Sequence, residues 1–133
     1  MRNVTDYCGR NAGDIWKTLQ SKGPLAETKL MEFTNLSEDE FHAAIGWLAR
    51  ENKVCKNGLV YQLGETNLTN KIGTDAGKVW RILETRGKAD IYDIARLAQM
   101  VERDAFTAVG WLAREDKVDA HLAMPREFQV KTR

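Results

Sequence analysis

The chain has 133 residues, 43% of them hydrophobic and 29% charged, with 20 Lys+Arg against 19 Asp+Glu. That is the make-up of an ordinary globular protein. It excludes the strongly basic block typical of avid, sequence-independent nucleic-acid binding, and no apolar run approaches the length of a membrane span. The N-terminus lacks the apolar core of a signal peptide, which places the protein in the cytoplasm as an expectation.

The dominant pattern is an internal repeat. Ile45-Gly46-Trp47-Leu48-Ala49-Arg50-Glu51-Asn52-Lys53-Val54 returns 64 residues later as Val109-Gly110-Trp111-Leu112-Ala113-Arg114-Glu115-Asp116-Lys117-Val118, and 16 of the 46 positions from 9 to 54 are identical at that offset. The unit is too long for a solenoid repeat and short for a domain standing alone. The chain therefore divides into repeat 1 (residues 1–64) and repeat 2 (residues 65–133), expected to pack on each other as two protomers of a dimer would. Cys8 and Cys55 fall opposite Ile72 and Asp119. A shared disulfide or metal site would recur with the repeat, so both read as free thiols.

In chain order, Ala12, Ile15, Trp16 and Leu19 share one helical face up to Gly23, and Ala76, Val79, Trp80, Leu83 and Gly87 repeat it. A first helix over about 12–21 ending at a C′ glycine follows. A short second helix spans about 26–33, with Leu30 and Phe33 apolar; Ile91, Ile94, Ala95 and Leu97 take their part in repeat 2. Ser37-Glu38-Asp39-Glu40 is a capping box. It opens a third helix whose core face is Phe41, Ala44, Ile45 and Leu48; Val101 replaces the cap serine in repeat 2. Alternation then takes over around Lys56-Asn57-Gly58, a hairpin signal. Repeat 2 closes with a looser hairpin around Pro125.

Each repeat thus reads as three helices and a two-stranded wing, making the chain mainly α with small β-hairpins (α+β): two tandem winged helix-turn-helix domains. The pattern Ala-Gly-x-Ile/Val-Trp, then Gly, then Ala-Ile/Val-Gly-Trp-Leu-Ala-Arg-Glu-x-Lys-Val resembles a family of small prokaryotic winged helix-turn-helix domains of unassigned function. The likeness covers about residues 9–63 and 73–130. It implies the fold and an association with double-stranded DNA or transcription regulation. The chain departs from the family pattern in carrying two copies and in the missing Asn-Gly of its second wing.

In a winged helix the third helix usually enters the major groove. Opposite the core face, repeat 1 carries Asp39, Ala43, Gly46 and Arg50 behind three carboxylates, a poor reader of DNA. Repeat 2 carries Arg103, Thr107, Gly110 and Arg114. These three polar residues, with Lys88, Arg126, Lys131 and Arg133 for phosphate, form the candidate nucleic-acid site.

A second reading uses the small residues. Ala43, Gly46 and Trp47, with Thr107, Gly110 and Trp111, make a strip suited to close approach by another helix, from the sister repeat or a partner protein. Trp47 and Trp111 sit at the edge of the apolar face, Trp16 and Trp80 in the core. Arg50 with Glu51, and Arg114 with Glu115, are placed for local ion pairs.

His42 reads as a surface residue. No constellation of His, Cys or carboxylate suggests a metal, a cofactor, a small-molecule substrate or catalysis. The chain reads as a non-enzymatic binding module, for DNA or alternatively for a protein partner or self-association.

Overall fold

A computed structural model describes residues 2–124 and 127–133, with backbone alone for 2–6, 121–124 and 127–128. The repeat-1 elements are β1 (Arg2–Asn3), α1 (Val4–Lys22), β2 (Leu25–Ala26), α2 (Glu27–Thr34), α3 (Glu38–Arg50), β3 (Val54–Asn57) and β4 (Val60–Leu63). Repeat 2 supplies α4 (Thr69–Arg86), β5 (Lys88–Asp90), α5 (Ile91–Ala98), α6 (Glu102–Arg114), β6 (Val118–Met124) and β7 (Glu127–Thr132). The protein is mainly helical with small antiparallel hairpins, in two winged helix-turn-helix units.

Local chemistry sets the helix ends. Ser37 accepts from the Glu40 amide while the Glu40 side chain accepts from Ser37, closing the capping box on α3. Val101 can accept no such bond, so α6 starts without a side-chain cap. Gly23 and Gly87 end α1 and α4 at φ 80° and 78°, a left-handed conformation costly for any side chain.

The first helix is longer than its periodicity suggests. It starts at Val4 rather than near Ala12, because Gly9 and Gly13 interrupt an apolar face that includes the buried Cys8. In repeat 1, the tight turn is Gly58-Leu59 rather than Asn57-Gly58. Asn57 pairs with Val60 in the ladder, and Gly58 takes φ 64° at the first turn position.

Each wing gains a third strand from the segment before the second helix, giving the order β2-β4-β3 in repeat 1. Repeat 2 has β1-β6-β7-β5. Its outermost strand, β1, comes from the N-terminus of repeat 1 and pairs with β6 at Leu122 and His121. A related contact joins the other pair: the Asn67 side chain accepts from the Lys56 amide at 3.0 Å and donates to its carbonyl at 2.7 Å. The segment ahead of each first helix thus reaches the other repeat's wing.

Two cores of matching composition result. Ile15, Leu19, Leu30, Phe41, Ile45, Leu48 and Val54 fill the first, joined by Ile72 from α4. Val79, Leu83, Ile94, Phe106, Val109, Leu112 and Val118 fill the second. Each such side chain contributes about 1.5–3 kcal/mol on full burial. Trp47 and Trp111 pack against both cores, half-buried; Trp16 and Trp80 lie at the edge of their own core, also half-buried, rather than deep inside. Phe33 and Leu97, apolar residues near the ends of the second helices, turn outward, 51% and 41% exposed. An eight-residue helix has room for only two turns of core-facing positions, which Leu30 and Ile94 take.

Candidate functional site

The outer faces of the two third helices meet. A Cβ added to Gly46 would overlap the carbonyl oxygen of Thr107 and come within 3.0 Å of the Trp111 amide nitrogen. One added to Gly110 would overlap the carbonyl oxygen of Ala43. Only hydrogen fits at either place, so α3 and α6 touch backbone to backbone.

At the far end of this contact the charges cross over. Arg50 Nε donates to Glu115 Oε2 at 3.1 Å, and Arg114 Nε to Glu51 Oε2 at 3.0 Å. The expected local pairs within each Arg-Glu dipeptide are replaced by pairs between repeats. Neighbours at i and i+1 on a helix point apart, whereas the sister helix brings a carboxylate directly opposite. The Arg50 guanidinium also lies 5.6 Å over the Trp111 ring, and Arg114 lies 5.8 Å over Trp47.

These contacts put the C-terminal ends of α3 and α6 together, and their N-terminal ends as well. Parallel helix dipoles repel, and the side chains answer that: Glu38, Asp39, Glu40, Glu102 and Asp104 lie at the N-terminal ends, Arg50 and Arg114 at the C-terminal ends.

The residues singled out for DNA are therefore dispersed. Thr107 is half-buried at the crossing, and its hydroxyl donates to the Arg103 carbonyl at 2.8 Å. Arg114 is engaged by Glu51 and Trp47. Arg103 is exposed in the first turn of α6. It borders an open cleft of about 620 Å³ with Tyr92, Met100, Val101 and, from repeat 1, Glu38.

Lys88 and Lys131 are exposed and directly opposite one another across β5 and β7. Arg133 pairs with Asp116 and, at 2.7 Å, with Asp119. Arg126 lies outside the described residues. The strip residues Ala43, Gly46, Trp47, Gly110 and Trp111 all lie at the crossing, where the occupant is the sister repeat.

Sequence reasoning missed three polar groups. His42 is buried, 5% exposed, rather than at the surface. Its place is that of the core residue Phe106 in repeat 2, and that correspondence was the available signal. Asp75 is buried too, with Lys71 Nζ at 2.9 Å; the same ammonium reaches Asp104 at 3.2 Å, tying α4 to α6. Its two carboxylate bonds, Asp75's first, hold Lys71 in the charged form more firmly than usual.

Cys8 is the third. Its thiol donates to the Ala43 carbonyl at 3.3 Å, and burial pushes it up to about 12, so it has almost no thiolate at neutral pH.

Comparison with known proteins agrees with this architecture. A family profile described as a winged helix-turn-helix domain, DUF2582, matches residues 1–62 and again residues 67–126. No match to the chain was found among curated proteins or among solved structures. Among the described residues, no helix is long and apolar enough to cross a membrane.

Proposed function

The chain belongs to the winged helix-turn-helix family DUF2582, and from that premise we propose that it is a non-enzymatic binding module for a protein partner, one that does not read duplex DNA with its third helices. The observation that carries this reading is the α3–α6 crossing. A recognition helix must present side chains to base edges in the major groove. Here the equivalent face is occupied backbone to backbone at Gly46 and Gly110, and Arg114 is spent on the sister repeat. The near-neutral charge of the chain and the carboxylates opening both third helices support the same reading. Phe33 and Leu97, equivalent in the repeat and both exposed, are the apolar anchors such a partner would meet first.

Fluorescence-anisotropy titration against a set of duplexes of different sequence tests this. The expected result is no sequence-dependent binding in wild type. Sequence-dependent binding that Arg103→Ala or Arg114→Ala abolishes, with the fold intact, would overturn the proposal.

A second reading has its own observation. Two lysines set directly across a ladder repel unless an anion lies between them, and Lys88 and Lys131 are so placed in the second wing. Carrying the Leu25–Tyr61 register of the first wing one step outward puts Pro24 and Gln62 at the equivalent places in repeat 1. This wing suits a sequence-independent grip on duplex phosphates. In that case Lys88→Gln/Lys131→Gln weakens all duplexes alike and lowers the salt slope by roughly one for each lost phosphate contact. An unchanged slope removes this reading.

A further inference from the structure

A groove of about 420 Å³ opens between α1 and α3 of repeat 1, a size that suits a small molecule. It is lined by the half-buried indoles of Trp16 and Trp47 and by the α1 backbone at Gly9 and Gly13. The two glycines do different work. A Cβ on Gly9 would stand 2.9 Å from Trp47 Cζ2, so the bare backbone there seats that indole. One turn further on, a Cβ on Gly13 would meet nothing within 4 Å. Glycine inside a helix is unfavourable relative to alanine, and no side chain of the protein uses the room that Gly13 leaves.

Repeat 2 has the same groove filled. Arg81 Nη2 lies 3.9 Å from the Cβ position of Gly77, and Arg81 Nε donates to the Gly77 carbonyl at 3.4 Å. Lys117 Nζ stands 5.5 Å over the Trp80 ring. The counterparts in repeat 1 are Lys17 and Lys53. A lysine has no planar guanidinium to lie along the helix at Gly13, and among the described residues no cation stacks on Trp16. Repeat 2 thus closes its groove with its own cations, and repeat 1 leaves its groove open.

We propose that the open groove of repeat 1 is a binding site for a small planar aromatic anion such as an aromatic carboxylate. The indoles favour a ring in offset-stacked or edge-on contact, and the absent side chain at Gly13 lets that ring approach the α1 backbone. Lys17 and Lys53, both exposed, supply ammonium groups on flexible stems for the acid group. The one carboxylate in the lining is already engaged: Glu51 Oε2 accepts from Arg114 Nε at 3.0 Å, and Glu51 Oε1 lies 3.7 Å from Lys53 Nζ. Cations also favour indole faces, but an incoming cation here would meet two ammonium groups and no free carboxylate.

The chain has four tryptophans, so their indole N–H signals in NMR report on the groove, with Trp16→Phe and Trp47→Phe giving the assignments. In a titration of the full chain with naphthoate, the Trp16 and Trp47 signals should shift together and saturate while that of Trp80 stays in place. Naphthylmethanol, the neutral analogue, and naphthylmethylammonium, the cationic one, should each bind several-fold more weakly. Gly13→Leu puts a side chain into the empty room and should weaken naphthoate about tenfold or more. Lys17→Gln/Lys53→Gln should bring naphthoate down to the affinity of naphthylmethanol and leave naphthylmethanol unchanged. The proposal is overturned by an absence of saturable shifts at Trp16 and Trp47, or by shifts at Trp80 as large as those at Trp16. It is equally overturned by naphthoate binding no more tightly than the other two probes, or by undiminished binding in Gly13→Leu. Should Gly13→Leu fail to fold, the lysine variant and the three probes on wild type decide.

Discussion

The two repeats differ most where they do not touch. At the crossing, Gly46 and Gly110, Trp47 and Trp111, Arg50 and Arg114, and Glu51 and Glu115 are identical pairs, and each makes the reciprocal contact of its twin; Ala43 and Thr107, the pair there that differs, meet the sister glycines through their backbone carbonyls. Away from it, a capping box at Ser37 faces an uncapped Val101, His42 faces Phe106, and a two-residue wing turn faces a long hairpin. A pseudo-twofold contact loads each residue type twice, once in each direction. Only a residue acceptable in both settings leaves the contact intact. Positions outside the contact carry one load each and are free to diverge.

The sharpest break in this comparison is steric. Gly46→Ala or Gly110→Ala would drive a methyl group into a carbonyl of the sister helix. The expected loss is about 1–3 kcal/mol or more, seen as a lowered urea midpoint. Gly13→Ala is the control: nothing lies within 4 Å of its added methyl. It should instead gain up to about 1 kcal/mol from helix propensity. Equal effects from the two kinds of substitution would mean that the crossing does not hold the repeats together.

Capping gives the next largest effect and separates the repeats. Ser37→Ala should cost about 1 kcal/mol and Val101→Ser should gain a similar amount, both by denaturant titration. A Val101→Ser variant no more stable than wild type would point to a use for the exposed valine, 54% accessible beside the cleft.

The smallest effect is electrostatic. Arg50 and Arg114 are about half exposed, at 45% and 46%. A double-mutant cycle on Arg50 and Glu115 should therefore return only about 0.2–1 kcal/mol, shrinking with added salt. A coupling near zero would leave the arginines' packing over the tryptophans as their main contribution.

Much of the fold was legible along the chain because its signals are local. The capping box, the C′ glycines and the 3.6-residue spacing of Ile15, Leu19, Ile45 and Leu48 each act within a turn or two of helix, and the 64-residue offset allowed all of these but the capping box to be read twice. The site was legible only in part. Gly46 and Gly110 announced a close approach, but spacing alone could not say whether the visitor was DNA, a partner or the sister repeat. His42 and Asp75 were missed because polar residues default to the surface when no neighbour is known. The outward turn of Phe33 and Leu97 was not legible, because a short helix shows too few turns to tell one face from the next.

What the amino-acid order determined by itself was the number of repeats, the class of each element and where most of them stop, since backbone sterics and side-chain capping act over a few residues. Only the tertiary structure decided which face each third helix turned inward, which glutamate each arginine met, and that the N-terminal strand joined the other repeat's wing. Those outcomes depend on atoms more than sixty residues apart in the chain, and they are settled by how surfaces fit once the two cores have formed.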